Sequence, residues 1–548
     1  MGVARRCAAE AAARHLPVNG RRRFSGTGGS RGYSRTLTRA IGLVALLCAA
    51  PPARLPALQC ADGSPPPCRA TRADPGRKPG VAPNSVAVLY FDNLSRDTAD
   101  AYLAEGLTDE IIARLGQIER LNVKSRTAVS RHRGAGTDPM VLSRALGVAY
   151  VVNGTVRRGK DRLRVTVELL QAASGDRLWG QQYDRAQADF LAIQEDIAVS
   201  VASAIAGRLL PAERSSLAGR PTRRPAAYDH FVKGNYYLGQ RTPRAVARAI
   251  EEYQAAGQAD PTFAQAFARI AYAYALFPDW GWAFPGVPPE SLLARGLSAA
   301  DGALRQDSAA SDAWMARAYL LAQRNPKTLT GVREAFKRAI ALDPRNAEAH
   351  HQYAFVLLGL GEDSAAAEDF RRALDLDPER PITLHHLGVL RIIQRRYDEA
   401  LRWLDSALSV EPAFADAYPF RALSHLLLGQ TPQARRDAEV AVRLAPTRYL
   451  GEAALAIVEA QEGDTLTSRR RIDDLLHGTV DSLRPTPMEG LFLGWALVSV
   501  NERKRAIDLL ERAQPRGWQL SYRLRYPGFD PIRADPRFQR LVEESRPR

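Results

Sequence analysis

The stretch NAEAHHQYAFVLLGLGEDSAAAEDFRRALDLDP, residues 346–378, decides the fold. It carries small or aromatic residues at Ala354, Gly361, Ala366, Phe370 and Ala373 within helical apolar patterns, and it closes on Pro378. Pro344, Pro378, Pro412 and Pro446 follow one another at intervals of 34 residues, each behind such a pattern. A unit of this length holds two antiparallel helices, and its apolar face is buried only when the next unit stacks on it. The sequence therefore predicts a helical solenoid whose product is surface.

Neighbouring units keep the register. One has Leu387, Gly388, Tyr397, Ala400, Leu404, Ala407 and Pro412, and the next has Ala422, Gly429, Ala434, Ala438, Ala441 and Pro446. Small residues at these places let helices approach closely, which is a packing role. The pattern is the fingerprint of tetratricopeptide repeats. Upstream, Trp314, Phe336, Ala339 and Pro344 fit with about two extra residues, and Phe263 to Asp307 fits if roughly thirteen residues around Phe277 to Pro289 form a loop inside the repeat. A first unit runs from near Tyr228 to Pro261, and a last one is marked by Gly494, Ala506, Leu510 and Ala513. About eight repeats over 226–515 are expected, followed by a capping segment, 516–548.

The chain has 548 residues, 45% hydrophobic and 25% charged, enough for two or three domains with cores of their own. Its net charge of +16 is unevenly placed. Residues 1–80 hold 14 Lys or Arg against 3 Asp or Glu, so the remainder carries only +5 and gives no charge argument for nucleic acid. Residues 1–58 read as a basic leader: Arg21, Arg22, Arg23, Arg31, Arg35 and Arg39 precede an apolar run, Ile41 to Ala50, and then Pro51 and Pro52. Such a run suits a signal-peptide core and is short for a spanning helix, which needs about 20 residues. The expected location is periplasmic or secreted, or else anchored at the inner membrane through residues 41–50. All four cysteines, Cys7, Cys48, Cys60 and Cys68, precede residue 69. Cys60 and Cys68 bracket a Pro-rich loop that could close as a disulfide in an oxidising compartment. Residues 59–84 read as a Pro/Gly-rich linker.

Between 85 and 212 the periodicity changes. Val86 to Phe91 is β-rich, Ala101 to Ile118 helical, Leu121 to Ser125 a strand, and Pro139 to Leu146 a helix capped by Asp138. Strands over Ala149 to Arg157, Arg162 to Leu170 and Arg177 to Tyr183, and a helix from Phe190 to Leu210, complete the order βαβαβββα. The segments SVAVLYFDNLS (85–95), YLAEGLTDEII (102–112), LGVAYVVNGTVRR (146–158) and SGDRLWGQQYDR (174–185) closely resemble the TolB-like amino-terminal domain. Similar domains stand before tetratricopeptide arrays in multidomain bacterial proteins, often behind a cyclase, kinase or winged-helix module. YPGFDPIRADPRF (526–538) resembles the ending common in such arrays. The fold class is thus α/β plus all-α: a small mixed α/β domain, a linker at 213–225, and the solenoid.

No nucleophile–base pair, phosphate loop or metal-ligand spacing is visible, so an enzyme and a cofactor are not expected. His350 with His351 and His385 with His386 form pairs one repeat apart, without third and fourth metal ligands. Asp92, Glu105, Asp109 and Glu110 read as loop and helix-start charge. First-helix positions expected to line a concave groove are Glu348, His351, Phe355 and Leu358, then Ile382, His385, Val389 and Ile392, then Asp416, Pro419, Leu423 and Leu426. Phe355 and Leu358 also suit the core between repeats. Lacking the Lys/Asn set that grips a carboxylate in some tetratricopeptide domains, this surface predicts an apolar peptide or helix as protein ligand. On that reading, Asp at His351 and Val389 together abolishes partner capture without unfolding. The functional expectation is a non-catalytic adaptor of a bacterial envelope; the alternative is an anchored or cytoplasmic signalling component whose α/β domain senses a small molecule.

Overall fold

The computed structural model describes residues 81–97, 100–130, 138–327, 329–446, 449–477, 487–512 and 517–547. The basic leader, the apolar run and all four cysteines lie outside them.

The α/β domain is built on a mixed sheet, with β1 (Ser85–Val88), β2 (Asp92–Asn93), β3 (Asn122–Val123), β4 (Tyr150–Arg158), β5 (Arg162–Gln171) and β6 (Arg177–Ala186). The order is β3-β1-β4-β5-β6, and β2 continues alongside β4. β1 is parallel to both neighbours, whereas β4, β5 and β6 form an antiparallel meander. Alternation sets the faces. Val86 and Val88 face one core with Leu107 and Ile111 of α1 (Ala101–Gly116) and Ile193 and Ile197 of α4 (Phe190–Ala206). Ala87 and Leu89 face a smaller one with α2 (Arg126–Ser130) and α3 (Pro139–Leu146). Asp138 caps α3, its side chain accepting from the Met140 amide at 2.8 Å.

The stretch 213–225 is not an extended linker. Pro211–Leu217 forms α5, Leu217 is fully buried, and the buried Arg114 donates to the Leu217 carbonyl. Thr222 is buried on Asp260, to which it donates at 2.5 Å. Leucine burial and polar satisfaction at both ends turn a connector into a packed joint.

Sixteen helices then pair into eight hairpins among the described residues: α6 and α7 (Pro225–Gly239, Pro243–Ala259), α8 and α9 (Ala264–Asp279, Pro289–Gln306), α10 and α11 (Ser311–Arg324, Val332–Leu342), α12 and α13 (Ala347–Leu360, Asp363–Leu376), α14 and α15 (Pro381–Ile393, Tyr397–Val410), α16 and α17 (Ala417–Leu427, Thr431–Leu444), α18 and α19 (Tyr449–Gln461, Thr465–Leu476), and α20 and α21 (Pro487–Ser499, Arg503–Arg512). The gap between α8 and α9 is the looped-out stretch, folded on itself by Phe277–Trp282 and Phe277–Phe284 ring contacts. The register residues do what small and aromatic residues do at helix crossings: Ala354, Ala366, Phe370, Ala373, Ala400, Leu404, Ala434 and Ala438 are all fully buried.

The α/β domain seats on the first hairpin. Tyr102 donates to Asp229 at 2.7 Å, Lys233 pairs with the same carboxylate at 2.7 Å, and Tyr228 donates to Gln194 at 2.8 Å. It also touches the fourth hairpin, where Thr127 donates to Asp377 at 3.2 Å.

Phe370→Ala, in the register core, is expected to cost about 3–5 kcal/mol through lost burial and the cavity left, whereas Leu466→Ala, at a position 70% exposed, should change stability by less than about 0.5 kcal/mol. Urea unfolding of both variants, followed by helical circular dichroism, checks the pair.

Candidate functional site

The first helices of the hairpins, α12, α14 and α16, turn a row of side chains inward, and a helix already lies against that row. After α21 the chain returns as α22 (Trp518–Arg523), a 3₁₀ turn (Pro527–Ile532) and α23 (Pro536–Ser545), and α22 packs on α12 while the 3₁₀ turn packs on α20. Trp518 is fully buried, donating through Nε1 to the Ala322 carbonyl at 2.9 Å and through its amide to the Pro326 carbonyl at 3.0 Å. The hollow for its ring exists because position 359 is glycine: a Cβ there would stand 2.5 Å from the indole. Gly517, at φ +141°, makes the entry bend, a conformation open to glycine.

The floor is a chain of rings. Phe355 meets Trp518 at 5.2 Å and Tyr522 at 5.8 Å edge-on, and stacks on His386 at 4.4 Å. His386 stacks on His351 at 5.2 Å and lies 5.3 Å from His385. His385 meets Phe420 at 4.9 Å, and Phe420 meets Tyr526 at 6.1 Å. Such contacts add about 0.5–1.5 kcal/mol each beyond burial.

Two arginines clamp the segment. Arg525 holds Asp363 with two bonds, 2.9 and 2.6 Å, in the fork geometry that suits guanidinium and carboxylate. Arg395 donates to the Arg525 carbonyl at 3.0 Å and to Asp530 at 2.8 Å. Arg395 has φ +62°, and it occupies the turn position that Gly361, Gly429 and Gly463 hold in neighbouring hairpins, with φ of 78°, 74° and 90°. A side chain at a left-handed position costs conformational energy. Its bonds to the returning segment offset that cost.

Beside the rings lies a charged knot. Glu348 accepts from Tyr272 and from Gln352, each at 2.8 Å, and pairs with Arg380. Burial opposes ionisation of Glu348, yet Arg380 and Arg241 outweigh it and hold the carboxyl well below the usual range. His351 bonds Thr383 through Nδ1 at 2.8 Å.

The groove positions named from sequence are therefore mostly not open surface. His351, Phe355, His385, Val389 and Leu423 are 1–5% exposed, and Leu358 and Ile392 are buried with them. Glu348, Ile382 and Asp416 are partly buried. Stacking between hairpins covers one side of these residues, and at Phe355 the returning segment covers another. Asp at His351 and Val389 would bury charge without a partner and unfold the region, so that pair does not separate binding from folding. The structure stacks His351 on His386, one repeat on. Among the acidic group of the α/β domain, Glu105 and Asp109 pair with Arg126 and Glu110 with Arg114. Among the described residues no three His, Cys, Asp or Glu converge as a metal site, and no helix is long and apolar enough to cross a membrane. Sequence reading missed Trp518, Tyr522, Arg525 and Arg395. The Trp/Tyr pair four residues apart and the arginine where the repeat uses glycine were the signals.

A family model described as tetratricopeptide repeat matches residues 335–369. The Rhizobium meliloti (strain 1021) protein named Putative adenylate cyclase 3 is 32% identical over 187 residues, which are 34% of this chain and 32% of that protein, so the chain spans less than half of that relative's length. Among solved structures, the Pseudomonas aeruginosa pilF protein is similar at 21% identity over 43% of this chain and 98% of that one, with a TM-score of 0.30. Yeast Tom70 is similar at 14% identity over 65% and 82%, with a TM-score of 0.36. The repeat portion is tetratricopeptide in kind.

Burial holds His351 and His385 down to about 3, and His386 well below its ordinary value. The unfolded chain takes up these protons near pH 6.5 and the folded chain does not, so stability present above about pH 6.5 is lost as pH falls toward 3, by about 1.4 kcal/mol per unit for each histidine. Asp279, raised by burial to about 6, works in the opposite direction below that pH. The expected net loss is about 3 kcal/mol per unit near pH 5. Thermal melts should be level above pH 7 and fall steeply between 6.5 and 5; a level melt across that range contradicts the burial of the rings.

Proposed function

We propose that this protein is a non-catalytic scaffold that binds other proteins through its solenoid, with the α/β domain as a docking or sensing head. The observation that supports it most is the inner groove itself, where α12, α14 and α16 bring aromatic rings and charged clamps against a helix. A surface of this kind suits the helix-in-groove mode of recognition. The resemblance of residues 85–212 to the TolB-like domain and the leader-like composition of residues 1–58 support a location in a bacterial envelope for this scaffold. The relative's cyclase name attaches to a protein of which this chain matches a minority, and among the described residues of the α/β domain the carboxylates of Glu105 and Asp109 are paired with Arg126.

A second reading, small-molecule sensing, has one observation in its favour. A cleft of about 440 Å³ lies where α4 begins and the joint to the solenoid passes, lined by Asp189, Leu191, Arg220, Thr222 and Arg223. An adjoining one of about 230 Å³ adds Leu103, Phe190 and Tyr228. Clefts at domain joints are common ligand sites.

Cell fractionation with mass spectrometry of the mature amino terminus tests the location: a terminus between about residues 50 and 84 in the periplasmic or secreted fraction is expected, and an intact leader in membranes or cytosol favours the signalling reading. The purified chain incubated with ATP and Mg²⁺ or Mn²⁺ should form no cyclic AMP. Turnover would overturn the scaffold reading.

A further inference from the structure

The helix in the inner groove does not satisfy it. Arg523 is 5% exposed, and its Nε and Nη1 have no hydrogen-bond partner; the Tyr526 hydroxyl, also on the returning segment, has none either. On the floor, Nδ1 of both His385 and His386 is likewise buried and unpartnered. Buried polar groups are nearly always paired, so orphans on the segment and on the rings near it mark an imperfect match. The anchors of the segment are nevertheless specific: two aromatic side chains four residues apart, Trp518 and Tyr522, on Phe355, and a basic residue, Arg525, on Asp363.

We propose that the inner groove is a receptor for a helix supplied by another protein, one carrying two aromatic side chains four residues apart and a following basic residue, and that the segment Gly517–Ile532 holds this place until such a helix displaces it. This rests on the scaffold reading and names its partner's chemistry. The aromatic anchors fit the hollow at Gly359 and the Phe355 ring; the basic residue fits Asp363. Polar side chains on the incoming helix that reach the histidine Nδ1 atoms give it an advantage that the resident segment lacks. The resident segment's advantage is its tether, which presents it at an effective concentration on the order of millimolar. Weakening its anchors therefore opens the groove without altering the floor.

The probe is a fluorescent synthetic peptide of residues 517–533, titrated against the full chain and full-length variants. The double variant Trp518→Ala/Tyr522→Ala should bind it at least tenfold more tightly than the unaltered chain. Arg525→Ala, whose side chain is 31% exposed, leaves the aromatic core in place and should also bind it more tightly. Adding Asp363→Arg to either should remove the gain. If the aromatic variant fails to fold, the Arg525→Ala pair decides. No gain in a folded variant, or a gain that survives Asp363→Arg, overturns the proposal. That outcome leaves the scaffold reading standing, because compartment and nucleotide turnover decide that one separately.

Discussion

A helical hairpin of this length cannot bury its apolar face alone, and the remainder of the structure follows from that constraint. Stacking eight hairpins covers the faces between neighbours, but it leaves an inner face whose rings, Phe355, His386, His385 and Phe420, still need cover. At one end the α/β domain covers the first hairpin through α1. Further along, the chain's own return does so. Trp518, Leu520, Tyr522 and Leu524 are each at most 2% exposed, and burial of each is worth about 1.5–3 kcal/mol.

Arginines are the second organising element. Arg395, Arg525 and Arg537 tie the returning segment to the solenoid at Asp530, Asp363, Asp508 and Glu511. Arg126 fastens α2 to α1 within the α/β domain, and Arg380 gathers Glu348 into the inner face. These are planar, forked donors against carboxylates, many of them half-buried, where geometry counts for more than at an exposed pair. They fix how the pieces meet and leave the hydrophobic burial to hold them.

The repeat was legible because its signals are local: the proline period, the small residues and the aromatic at Phe370 each report a contact within one hairpin or with the next. The α/β order was legible for the same reason, since alternation over Leu163, Val165, Val167 and Leu169 and the Asp138 cap are short-range features. The inner groove was read wrongly as open. Part of its cover comes from residues more than 100 positions away, as with Arg525 and Asp363, and periodicity carries no term for such a contact. The segment 213–225, expected as a linker, packs through Leu217 and Thr222, whose partners Arg114 and Asp260 are met only in the folded chain.

Hydrogen–deuterium exchange on the full chain tests the central claim most directly. If the return fills the groove, the amides of Trp518, Leu520 and Leu524, bonded to Pro326, Gly517 and Leu520, exchange as slowly as those of α12 and α14. Exchange of these amides at the rate of an unstructured chain, with α12 and α14 still protected, would contradict it.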